Sequence, residues 1–467
     1  MLKTIFKPHR RYLKAGTADV QKIFAMLKLI PDTEAAASRS PVALALVIDT
    51  SSSMREFADQ DAFRREAERR GLSGSAVSGG DGTYQAFDIE LPTKLDRAIE
   101  AAHALIDDAR LSPADQLSIV HFDDAASALL PMCRLSDRTA ANSAVESLRG
   151  CSGGTRLADG LRCAQQQLSG VPPELSKRVL LLTDGQTIDE PDCRPLAAQL
   201  ATANAPIAAM GLGEEYNVDL MRDLAETGRG SPYHLKTISD FRTVLDEQVG
   251  ASVSEVVTDL RATVAAVRGV SVDSGTRVYP SLAEISLSPH PYRLGNIPSG
   301  DYTVFVIEFS VSGISRPPSR VRLAQVGLEA NVPGLRRRSE LPLQDLFVEF
   351  TTNETEIAIV DEEVLGYVQQ KSVDRLLQEA AHLATVDPGR ARQTLLAAKG
   401  MTQRLGNHAV TKMLEEAVGE LARSGTISAN TRKTIALGGR TRTVKTGQPA
   451  SEDGAPSEEE IRRLTGI

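Results

Sequence analysis

The sequence predicts an α/β fold: a doubly wound, mainly parallel sheet, joined to an antiparallel β-sandwich and a C-terminal helical region. Three observations predict it. Between residues 42 and about 245, short apolar runs alternate with helical patterns. From about 252 to 360, strand patterns succeed one another with Pro and Gly between them. From 362 onward, helical periodicity takes over. Strict strand–helix alternation implies a parallel sheet, and runs of strands alone imply a sandwich.

The 467 residues exceed what one hydrophobic core supports, so several domains are expected. In residues 1–40, "VQKIFAMLKLIP" reads as a strand. It is expected to join the sandwich, which makes the α/β domain (41–248) an insertion within it. In that domain "VALALVID", "DQLSIVHFDD", "RVLLLTDG" and "APIAAMGLG" are the continuous apolar runs of strands covered on both faces. Helical patterns such as "KLDRAIEAAHALIDDAR" and "LADGLRCAQQQLSG" separate them. Residues 55–92 interrupt the rhythm between the first strand and its helix, where about 2–6 residues are usual. Their start suits a short helix and their centre is rich in Gly and Ser. The segment is either a tolerated surface insertion or a cover or partner-contact element beside the polar strand edge. Residues 252–360 form the sandwich and 362–424 the helices, with Pro388 and Gly389 dividing the first two. Residues 425–467, a Thr-rich basic stretch followed by an acidic one, are expected to be disordered.

Composition narrows the function. A net charge of -8 argues against nucleic acid or an anionic membrane as main partner. Aromatic content of 4%, with no Trp, argues against stacked-ring platforms. Cys133, Cys151, Cys163 and Cys193 show no CxxC or metal spacing and read as reduced thiols. No signal-peptide core and no span of ~20 apolar residues is present, so a cytoplasmic location is expected.

Three polar signals fall at the carboxyl edge of the sheet, where open α/β sheets bind ligands. They are Asp49-x-Ser51-x-Ser53, Thr155 in "CSGGTRL", and Asp184 in "LLLTDGQT". Alone, each is a helix cap or a turn. Together they are the oxygen donors that a hard cation requires at ~2.1 Å. Ser51, Ser53 and Thr155 supply neutral oxygens; Asp49 and Asp184 supply charge, directly or through water. Few direct carboxylates leave such a metal electron-poor and able to recruit an Asp or Glu from a partner. Mg²⁺ is the expected ion, with Mn²⁺ and Ca²⁺ as alternatives.

These residues resemble the metal-ion-dependent adhesion site of von Willebrand factor type A domains, and "ADQLSIVHFDDAA" and "KLDRAIEAA" are similar to that family's strand and first helix. The layout also resembles bacterial proteins in which such a domain accompanies a β-sandwich, some of them related to calcium-activated chloride channel regulators; "LGNIPSGDYTVFVIEF" is similar to their sandwich segment. The resemblance implies a metal-dependent protein-binding module or adaptor and suggests an AAA+ ATPase as partner.

No P-loop and no Gly-x-Ser-x-Gly elbow appear, and Ser51 stands where a phosphotransferase would carry its second Asp. The protein is therefore expected not to be an enzyme, with metal-dependent hydrolysis the weaker alternative. His121, before "FDD", either lies near the metal or serves a surface or packing role. A scaffold with a structural metal is the main alternative. In that reading Thr434 and Thr441, each with an aliphatic residue three positions on, resemble phosphothreonine sites of the spacing read by forkhead-associated domains.

Overall fold

The computed structural model describes residues 2–32, 39–70, 91–312, 316–332 and 337–446. The chain begins with β1 (Leu2–Pro8), β2 (Tyr12–Lys14) and β3 (Gln21–Pro31), then enters the α/β domain at β4 (Val42–Asp49). That domain continues through α1 (Gln60–Arg69), α2 (Lys94–Ile106), β5 (Gln116–Phe122), β6 (Ala126–Arg134), α3 (Arg138–Glu146), α4 (Leu157–Ser169) and β7 (Ser176–Thr183). It ends with α5 (Glu190–Thr202), β8 (Ile207–Leu212), α6 (Val218–Thr227), β9 (Ser231–Leu235) and α7 (Ser239–Val253). The sheet order is β6-β5-β4-β7-β8-β9, with only β6 antiparallel to its neighbour. β4 lies in the middle and every one of its residues is buried. Its alternate side chains enter two separate cores, Leu44, Leu46 and Ile48 on one face and Ala43, Ala45 and Val47 on the other. This is why the run is continuously apolar rather than alternating.

The sandwich resumes with β10 (Glu255–Ala266), β11 (Val270–Tyr279), β12 (Ala283–Ile285), β13 (Tyr292–Pro298), β14 (Thr303–Val311), β15 (Ser319–Val332) and β16 (Arg337–Thr351). Its two five-stranded sheets are ordered β1-β3-β14-β11-β12 and β13-β10-β15-β16-β2. β3 pairs antiparallel with β14 over nine positions, so residues on both sides of the α/β domain share one sheet. The sandwich is antiparallel as expected except at one edge. The three-residue β2 pairs parallel with the end of β16.

Four helices follow the one-turn α8 (Glu354–Ile357): α9 (Glu362–Val386), α10 (Pro388–Arg404), α11 (His408–Ser424) and α12 (Ala429–Thr441). The start of α9 sets Val364 and Tyr367 against Met26, Val278 and Val304 of the sandwich. Its later turns share a core with α10, α11 and α12. The expected disorder from 425 is thus contradicted up to residue 446. α12 is capped by the Ser428 hydroxyl, which accepts from Thr431 N–H, and it buries Ile435 and Leu437. Residues 447–467 lie outside the described residues. Among the described residues, no helix is long and apolar enough to cross a membrane.

Candidate metal centre

The site is assembled where β4 and β7 end. Asp49 closes β4 and is fully buried. One carboxylate oxygen accepts the Ser51 N–H at 2.8 Å and the other accepts the Thr183 hydroxyl at 2.6 Å. Burial pushes its pKa up to about 6, against the opposing pull of the Ser51 and Thr183 hydrogen bonds. The chain then turns through a single 3₁₀ turn, Ser52–Arg55, which brings the Ser51 and Ser53 hydroxyls to 3.1 Å. Ser53 donates to Asp184 at 2.6 Å.

Thr155 arrives from the third direction. The glycines before it are there for close approach: a Cβ on Gly153 would lie 2.6 Å from Asp124 Oδ2, and one on Gly154 would lie 2.7 Å from Asp124 Oδ1. The Thr155 and Ser53 hydroxyls both border Gly185, at 3.5 and 3.8 Å from where its Cβ would stand. Asp49, Ser51, Ser53, Thr155 and Asp184 therefore cluster where β4 and β7 end. Such a donor set suits a hard divalent cation. Among the described residues no cluster of three or more His, Cys, Asp or Glu is placed to hold a metal.

Several contributors escaped the sequence reading. Thr183 holds Asp49, yet it sits inside the apolar run that ends on Asp184. Lys94 lies 2.7 Å from Asp184 Oδ2 and 2.7 Å from Glu56 Oε2. Burial alone would lower this ammonium, but Asp184 and Glu56 outweigh it and hold its pKa above the usual lysine value. Its position follows from local rules. Thr93 and Asp96 form a capping box that starts α2 at Lys94, and Lys94 N–H donates to Glu56 O. Phe57 bridges Thr93 and Ala58 N–H reaches Pro92 O, so the 55–92 insertion leaves and rejoins the metal rim at one point. Its residues 60–69 form α1; whether it covers the site falls on residues 71–90, outside the described residues.

His121 is packed beside the site rather than aimed into it, between the Thr50 hydroxyl (3.2 Å) and the Ser127 hydroxyl (2.9 Å). The four cysteines are free. Thr434, read as a phosphorylation candidate, is buried and donates its hydroxyl to Asn430 O at 2.8 Å. That corrects the reading of an open tail threonine, since kinases need an exposed, extended segment. Thr441, the other candidate, is the half-buried last residue of α12.

Residues 44–186 match the family model of the von Willebrand factor type A domain. The uncharacterized protein sll0103 of Synechocystis is 27% identical over 148 residues, covering 31% of this chain and 34% of that protein. The match thus spans about a third of that relative's length. The structure of a von Willebrand factor type A protein from Catenulispora acidiphila superimposes with TM-score 0.76 at 18% identity, covering 95% of this chain and 97% of that one. The ArnB paralog VWA2 from Sulfolobus acidocaldarius superimposes with TM-score 0.60 at 14% identity, covering 95% and 99%. These likenesses extend the shared fold through sandwich and helices. The chain therefore carries a von Willebrand factor type A domain, set between strands of a β-sandwich and followed by a helical bundle.

Proposed function

We propose that the protein is a non-enzymatic, metal-dependent protein-binding module. In this reading Mg²⁺ is held by Ser51, Ser53 and Thr155, with Asp49 and Asp184 behind them, and completes its shell with a partner's Asp or Glu. Domains of this type are commonly metal-dependent interaction modules. The observation that carries the reading is the burial of two carboxylates beside clustered hydroxyls. Asp49 and Asp184 are 0% and 2% exposed, and Asp49 has no cationic partner among the described residues. A buried negative charge of that kind calls for a cation. Ile188 supports a protein partner. It is 76% exposed, and its N–H donates to Thr155 O, so an apolar side chain stands open at the metal rim.

The test is calorimetric titration of Mg²⁺ into the full chain, alongside capture of binding partners. Wild type is expected to bind the ion and to lose its partner in chelator. Asp49→Ala is expected to lose both, while Asp345→Ala, on β16 of the sandwich, keeps both. Capture that persists in chelator and in Asp49→Ala would overturn the reading and favour a scaffold that binds through its sandwich or helices.

A further inference from the structure

At the end of the sheet opposite the candidate metal site, the α/β domain, the sandwich and α12 line a half-open cavity of about 240 Å³. Three arginines line it: Arg178 from β7, Arg229 from the turn before β9, and Arg277 from β11 of the sandwich. Two carboxylates line it as well, Glu247 and Glu255, and Glu255 is already saturated. One oxygen accepts Arg178 Nη2 at 2.5 Å; the other accepts the Ser176 hydroxyl and Asn296 Nδ2. Arg178 Nη1 donates to Gln248 at 2.5 Å, which leaves its buried Nε without a partner.

Arg277 is worse provided for. Its Nε and Nη2 donate to the carbonyl and hydroxyl of Ser281, and no carboxylate lies within ion-pair distance among the described residues. Burial, and then repulsion from Arg178, push its pKa down to about 10 against the pull of Glu255. Although it lies deep, Arg277 keeps accessible surface, as a side chain facing a cavity does. Among the described residues the Arg229 side chain makes one long bond, to Ala201 O at 3.4 Å, and burial followed by Arg293 lowers its pKa against the pull of Asp259.

Three guanidinium groups face two carboxylates in this lining, which leaves one positive charge over, and holding such a charge away from water is costly. Their planar donor forks are the preferred partners of phosphate and carboxylate groups. We propose that this cavity binds a small tetrahedral oxyanion, inorganic phosphate or the phosphate of a small phosphomonoester, between Arg178, Arg229 and Arg277. Its volume is ample for a phosphate group. Because Arg178 and Arg277 belong to different domains, the bound anion fastens the α/β domain to the sandwich.

The experiment titrates inorganic phosphate, and separately glycerol phosphate, into the full chain in chelator at constant ionic strength, read by calorimetry and melting temperature. Wild type is expected to bind and melt higher. Arg277→Gln is expected to bind at least about tenfold more weakly, the loss of one charge-assisted contact. Without phosphate it is expected to melt no lower than wild type, because an uncompensated buried charge is gone. Arg229→Gln provides a second variant with the same expected loss, and Arg322→Gln, on the exposed face of β15, is expected to bind as wild type does. Binding of glycerol phosphate alone assigns the site to phosphomonoesters; binding of both assigns it to the phosphate group itself. No binding of either by wild type, or equal binding by Arg277→Gln and Arg229→Gln, overturns the proposal.

Discussion

Lys94 is the residue on which the metal centre turns. Its ammonium contacts the carboxylate oxygen of Asp184 that Ser53 does not use, so any cation at the site shares Asp184 with a fixed positive charge. Charges separated by ~4 Å near a protein surface interact by a few kcal/mol. Lys94→Met is therefore expected to raise Mg²⁺ affinity at least about tenfold by calorimetry. The metal-free variant is expected to melt lower, since breaking a buried ion pair typically costs about 3 kcal/mol. Unchanged metal affinity would show that Lys94 only anchors α2. Asp49, Ser51, Ser53, Thr155 and Asp184 could be singled out from sequence because each is a polar residue where an apolar run or a glycine pair stops. Lys94 could not. It stands 45 positions after Asp49, beyond an insertion, and looks like any solvated first residue of a helix. Thr183 was hidden for the opposite reason, being one polar residue within a buried strand.

The same limit governs whole elements. Long runs buried on both faces, such as β4 and β7, announce themselves, whereas β1 is half-buried along its length and carries no clear alternation. α12 was misread because its burial rests on polar side chains satisfied one by one rather than on an apolar stripe. Lys433 donates to Glu214 O at 2.9 Å and Tyr216 O at 2.6 Å and lies over the Tyr216 ring. Arg440 reaches Glu226 at 2.8 Å and Asp374 at 3.5 Å. Composition averages such partners away, and a Thr- and Arg-rich segment then resembles a solvated tail. Lys433→Met is expected to leave two carbonyls unpaired and to cost about 1–3 kcal/mol. Hydrogen exchange should report it as faster exchange over 429–441 with the metal-site strands unaffected. Equal protection in both proteins would mean that Ile435 and Leu437 alone hold the helix.

At the scale of the molecule, two imidazoles, His9 buried and His234 half-buried, tie stability to pH. His9, whose Nδ1 accepts Phe24 N–H, links the sandwich to α9 through its carbonyl, which accepts Asp361 N–H. His234, on β9 beneath α12, is 3.0 Å from the Tyr216 hydroxyl. Burial, with help from Arg10, lowers the first to about 4; burial, with help from Lys433, lowers the second to about 3. An unfolded histidine titrates near 6.5. Between about 6.5 and those lower values the unfolded chain holds a proton that the fold refuses, so each histidine makes stability fall as pH falls. Asp49 and Asp374, raised by burial to about 6, act oppositely, because below pH 6 the fold takes up a proton before the unfolded chain does. The opposing groups mask one another in a single melting curve, and a variant separates them. Relative to wild type, His234→Gln is expected to gain up to about 1.4 kcal/mol for each pH unit below 6.5. Urea unfolding at pH 7, 6 and 5 checks this. A difference between the two proteins that stays constant across that series would mean that His234 is protonated in the fold, and that the contact between β9 and α12 does not sense acid.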